Sequence, residues 1–198
     1  MCWRKIRHSW HSKHEGWGVS VPSRMVPFQE VVGMDLTRYS MEDLILTALK
    51  SEMDSKEAYS RLAEGVKNFM LKERLNFLAG EEEKHRGFFE QLYAKNFPGK
   101  PMEIPKGKSL VPLPEMKIDA ESMPLSEMLE SAMKAEMAAH DFYTRLADRF
   151  ESQLDLKKML LYIASMELGH YKILEIERDN AKKFEDYDAE WPMMHVGP

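Results

Sequence analysis

The sequence predicts an all-α fold: a four-helix bundle with a long crossover between helices 2 and 3, built from two repeated helical hairpins. Four stretches carry apolar residues at helical spacing, over 40–66, 69–96, 124–150 and 153–184. The interval 97–123 holds Pro98, Pro101, Pro105, Pro112 and Pro114 with Gly99 and Gly107, which stop a helix and favour extended backbone. The second pair of stretches also repeats the first at a fixed offset. Short connections within each pair and a long one between the pairs separate this topology from a simple up-down bundle.

Taken in order, the first helix opens on Ser40, with Asp43 three residues later in the arrangement of a capping pair. Pro124 suits the first turn of the third helix, where a missing N–H costs nothing. The bundle is placed over 40–184, flanked by an N-terminal extension, 1–39, and a C-terminal tail, 185–198. In the extension Trp3, Trp10 and Trp17 recur every seven positions, with His8, His11 and His14 among Arg4, Lys5, Arg7, Lys13 and Arg24. A basic segment with Gly16, Gly18 and few aliphatic residues is expected to be disordered, and Met25 or Met34 are alternative starts.

Composition removes several function classes. With 43% hydrophobic and 31% charged residues the chain is that of a water-soluble domain. No stretch approaches the roughly 18 consecutive apolar residues of a membrane span. The net charge of −5, with both signs interspersed, gives no basic face for nucleic acid. Cys2 is the only cysteine, so an internal disulfide, a Cys-x-x-Cys pair and thiolate-held iron or zinc are all excluded. Any metal is held by oxygen and nitrogen, and a cytoplasmic location is the default expectation.

The repeat carries the chemistry. At an offset of 84, Ala48 to Met53 pairs with Ala132 to Met137, and Tyr59 to Ala63 with Tyr143 to Ala147. At an offset of 85, Leu78 to His85 pairs with Ile163 to His170. Glu82-x-x-His85 and Glu167-x-x-His170 survive in both copies, whereas Glu83 and Lys84 become Leu168 and Gly169. A Glu and a His three residues apart project from one helix face and offer a carboxylate and an imidazole to one ion. Glu52 shares its face with Ile45, Ala48 and Tyr59, and Glu136 shares its face with Leu129, Ala132 and Tyr143. All four carboxylates therefore lie on apolar, inward-turning stripes.

Four carboxylates in one core repel: at about 5 Å and an effective dielectric near 20, each pair costs on the order of 3 kcal/mol. Two divalent cations balance four carboxylates, and two neutral imidazoles complete the shell. Mixed oxygen and nitrogen ligands suit iron or manganese and also admit zinc. Glu81 to His85 alone is what a solvated charge run looks like. Two such units in register, each with a lone Glu on the preceding apolar face, are not.

The set Glu52, Glu82-x-x-His85, Glu136, Glu167-x-x-His170, over roughly 40–180, resembles the ligand pattern of the rubrerythrin and bacterioferritin branch of the ferritin-like superfamily. The resemblance implies two iron ions cycling between Fe2+ and Fe3+, each held by a His and a terminal Glu, Glu52 or Glu136, with Glu82 and Glu167 bridging. Tyr59 and Tyr143, two turns beyond Glu52 and Glu136, match tyrosines that hydrogen-bond the site in this family, and a plain core aromatic fits them equally. His140 is expected to be partly exposed. Two departures stand out. There is no rubredoxin-like domain with paired Cys-x-x-Cys, so an electron donor such as a rubredoxin-like protein must be separate. The additional Glu of typical rubrerythrins, three residues after the third-helix ligand, is Ala139 here, so their peroxide-driven ligand exchange does not carry over.

The function expected is a non-haem di-iron oxidoreductase, of peroxidase or ferroxidase type, reducing hydrogen peroxide or dioxygen. The family resemblance adds a homodimer. The competing readings are capture and oxidation of ferrous iron for storage or delivery, and a bundle without metal that serves only interaction.

Overall fold

The structure, a computed structural model, describes residues 35–108, 111–119 and 122–190, with side chains to 186. The expectations for residues 1–34 and 191–198 lie outside the described residues. Four helices form: α1 (Met41–Gly65), α2 (Phe69–Asn96), α3 (Leu125–Asp148) and α4 (Leu154–Glu190). Among the described residues there is no strand, and no helix is long and apolar enough to cross a membrane.

Local chemistry sets the ends. Ser40 and Asp43 form the expected capping box: Asp43 N–H donates to Ser40 Oγ (3.1 Å) and Ser40 N–H to Asp43 Oδ2 (3.0 Å). Asn68 Oδ1 accepts from Leu71 N–H and opens α2. Pro98 forces Phe97 out of the helical region, to φ −130°, and α2 ends there. Gly99 follows at φ 78°, where a side chain would be strained.

Three boundaries differ from the sequence expectation. Residues 35–39, assigned to the extension, include a 3-10 turn, Leu36–Arg38, capped by Asp35, with Leu36 buried against the bundle. Pro124 stands at the cap of α3 rather than inside its first turn and makes no side-chain cap bond. Glu185 of α4 takes that role, accepting from Ser126 N–H (3.0 Å) and Ser126 Oγ (2.5 Å). Finally, α4 continues to Glu190, past residue 184, because nothing between Lys183 and Glu190 breaks a helix and the next proline is Pro192.

The direction of each helix follows from the two apolar clusters that fill the bundle. One joins Ile45 and Leu49, Phe89 and Tyr93, Phe142 and Leu146, and Leu160 and Ile163. The other joins Tyr59 and Leu62, Leu71 and Leu75, Leu129 and Met133, and Leu174 and Ala181. So α1 and α4 run from the first cluster to the second, and α2 and α3 run the other way. The crossover must return along the bundle, and it does so with Val111 buried in the first cluster and Met116 and Ile118 packed against the second. Lys117 N–H donates to Ser131 Oγ of α3 (2.7 Å) and ties it down. A wholly buried leucine such as Leu129 contributes about 1.5–3 kcal/mol relative to an exposed one.

Candidate metal centre

Between the two clusters, midway along every helix, the apolar filling stops. Glu52 of α1, Glu82 and His85 of α2, Glu136 of α3, and Glu167 and His170 of α4 converge there, none more than 4% exposed. All six residues singled out from the repeat are thus brought together. They fall into two groups in which one ligand atom per residue lies within 4.8 Å of the others: Glu52, Glu82, His85 and Glu167, and Glu82, Glu136, Glu167 and His170. Glu82 and Glu167 belong to both.

The atoms sort the roles further. His85 Nδ1 lies 3.0 Å from Glu167 Oε1, 3.4 Å from Glu82 Oε2 and 3.5 Å from Glu52 Oε2. His170 Nδ1 lies 3.0 Å from Glu82 Oε1, 3.1 Å from Glu167 Oε2 and 3.6 Å from Glu136 Oε2. Each shared carboxylate therefore sends one oxygen to each histidine, and each unshared one sends a single oxygen to its own. The rings stack with centroids 5.7 Å apart.

One ring nitrogen carries at most one proton, so it cannot hydrogen-bond three carboxylates. His85 Nδ1, Glu82 Oε1 and Glu167 Oε1 are buried without a hydrogen-bond partner, as are both Nε2 atoms. An orphaned buried polar group costs about 1–3 kcal/mol. A cation between the atoms removes that cost. Two ligand atoms each about 2.1 Å from one ion stand about 3.0 Å apart at a right angle and about 3.4 Å apart at the tetrahedral angle. The observed separations are of that size, so the donor set fits a metal pair.

The charges agree. Burial, then the charges of Glu52 and Glu136, push Glu167 up to about 8. Burial and the neighbouring Glu82 hold Glu52 well above the ordinary carboxyl range. Glu136 goes the other way, since His170 and Glu167 outweigh its burial. Burial opposes charge on His85, yet Glu167, Glu52 and Glu82 raise it to about 12, and His170 is raised by Glu136, Glu167 and Glu82 against the same penalty. With no cations present, protons must do the neutralising.

Tyr59 and Tyr143 are wholly buried, and both touch the centre crosswise. Tyr59 on α1 donates its hydroxyl to Glu136 Oε1 on α3, and Tyr143 on α3 donates to Glu52 Oε1 on α1. Burial and the facing carboxylate raise both phenols well above their ordinary value, so they stay protonated as donors. Each leaves Oε2 of its glutamate as the oxygen turned to the histidine. The same-helix spacing hid this crossing. His140 is half-buried, its Nδ1 2.7 Å from the Ala164 carbonyl. Ala139 is buried and presents no seventh carboxylate. Arg74 of α2 and Glu177 of α4 join the hairpins by an ion pair that no local motif announces.

A helical bundle with four inward carboxylates and two histidines, two of the carboxylates shared, has the ferritin-like fold and the donor set of a di-metal carboxylate site. The family model described as Rubrerythrin matches residues 43–175, and again 127–190 within the second hairpin. The chain belongs to the rubrerythrin family. It is also similar to a solved chain described as a hypothetical protein from Pyrococcus furiosus, with 34% identity, a TM-score of 0.65, and coverage of 76% of this chain and 95% of that one. No curated protein matches.

Proposed function

We propose that this chain is a di-iron oxidoreductase of rubrerythrin type that reduces hydrogen peroxide or dioxygen with electrons from a separate, rubredoxin-like donor. The observation that supports it is the sharing of Glu82 and Glu167, one oxygen to each histidine, which suits two ions held side by side. Glu52 and Glu136 would each hold one ion, with Oε2 the oxygen turned to the histidine. Manganese and zinc suit the same donors, but only a redox-active pair serves the reaction.

When bound, a pair of ferrous ions supplies the two electrons that reduce the oxidant. The chain's own residues do the rest. Four carboxylates balance two divalent charges, while Tyr59 and Tyr143 fix Glu136 and Glu52 by hydrogen bonds to Oε1. Apolar layers on both sides, Leu49 in one cluster and Leu78 in the other, keep water from the carboxylates.

The test is anaerobic loading with ferrous iron followed by mixing with hydrogen peroxide or oxygenated buffer, read by the near-ultraviolet absorbance of ferric carboxylates. Oxidation within the mixing series, reversed by reduced rubredoxin, is expected. No change in iron oxidation state with either oxidant sinks the reading. Size-exclusion chromatography separates it from iron storage, since a homodimer is expected and a closed cage of many copies favours storage.

A further inference from the structure

We propose that the groove between α1 and the crossover is the route by which hydrogen peroxide reaches the buried centre, an inference that rests on the reading above. The groove is lined by Ser51, Ser55 and Ala58 of α1, Ala135 of α3, and Leu113 and Met116 of the crossover. Ser51 precedes Glu52 and Ala135 precedes Glu136, so the groove meets the bundle where the two unshared carboxylates sit. The side chains that line it there are small, and Ser51, Ser55 and Ala135 are only half-buried.

Two of the other seams are closed. Helices α1 and α2 pack along their length, as do α3 and α4. On the α2 side of α4, the face that carries Glu177, which pairs with Arg74, also carries the large side chain of Met166 beside Glu167. The α1 side is lined at this level by serine and alanine.

The charge of the groove decides which small molecule it suits. Lys50, Arg61, Lys108 and Lys117 stand against Asp54, Glu57 and Glu115, and Lys50 bonds Asp54 at 2.8 Å. Four cations against three anions set up no field that concentrates a divalent cation. A neutral molecule enters without penalty, and the Ser51 and Ser55 hydroxyls, each donor and acceptor, complement the O–H groups of hydrogen peroxide better than they do apolar dioxygen.

The test fills the groove and reads two rates on the full chain loaded with ferrous iron: oxidation by hydrogen peroxide, and association of nitric oxide, a neutral probe that binds ferrous iron without turnover. Ser51→Phe and Ala135→Leu are expected to keep wild-type iron content and thermal midpoint while slowing both rates about tenfold. Met166→Trp, on the opposite seam, is expected to leave both unchanged. Unchanged rates in the fully loaded groove variants, or slowing by Met166→Trp alone, overturn the proposal. Should Ser51→Phe lose iron, Ala135→Leu alone decides. If peroxide fails to oxidise the wild type yet the groove variants slow nitric oxide, the route stands and the oxidoreductase reading falls. A chain that takes up no iron overturns both.

Discussion

Tyr59 on α1 gives its hydroxyl hydrogen bond to Glu136 on α3, 77 residues away, not to Glu52 on its own helix. Tyr143 returns the bond to Glu52 across 91 residues. Seven residues of helix place each ring about 10 Å along the axis from its own glutamate, beyond reach. The antiparallel partner helix brings the other hairpin's glutamate level with it. Each hairpin thus positions an unshared carboxylate of the other.

Tyr59→Phe and Tyr143→Phe each leave a buried carboxylate oxygen without its donor. Metal affinity is expected to fall about 10–100-fold in each variant, by competition with a chromophoric chelator. Equal losses follow from the pseudo-twofold relation. Affinity unchanged in both variants would make the tyrosines mere core filling.

Shared and unshared carboxylates separate in metal content. Glu82→Ala removes a ligand from both groups of four, whereas Glu52→Ala touches only the group containing His85. Elemental analysis is expected to find little metal in the first variant and about half the wild-type content in the second. Equal losses would contradict the assignment of Glu82 as the shared ligand.

Metal-stripped protein has a distinctive pH dependence. Glu167 is raised from 4.5 to about 8 and His85 from 6.5 to about 12. Both folded-state values lie above the unfolded ones, so the native state binds more protons between them. Their stabilisation is complete below pH 4.5 for Glu167 and below 6.5 for His85, and it is lost as pH rises through about 8 and about 12 respectively. The thermal midpoint of stripped protein should therefore fall from pH 6.5 to 8. Metal competes with those protons, so uptake should strengthen over the same range. Differential scanning calorimetry on both forms checks this, and a stripped protein that gains stability there refutes it.

Glu185→Ala removes the cap that α4 supplies to α3. The loss expected is about 1 kcal/mol, a fall of about 2–4 °C in thermal midpoint. Metal content should not change, because Glu185 lies remote from the six ligands. A variant as stable as wild type would show that solvent caps α3 equally well.

Helix number, the crossover and the six residues that converge in the core were legible because each rests on a short-range regularity. A period of 3.6 residues turns Glu52, Glu82, Glu136 and Glu167 onto apolar stripes whatever those stripes later meet. Prolines between residues 97 and 123 forbid helix whatever lies nearby. The repeat then picked Glu82 and His85 out of a charge run that resembles a solvated face, by matching them to Glu167 and His170. What the helices face was not legible. The crossing of Tyr59 and Tyr143, the division of Glu82 and Glu167 between two histidines, the Glu185 cap and the groove beside Ser51 each depend on which helix neighbours which, and at what stagger. Those relations join residues far apart in sequence and leave no local periodicity. Packing of the helices decided them, within the second hairpin for the Glu185 cap and between the hairpins for the rest.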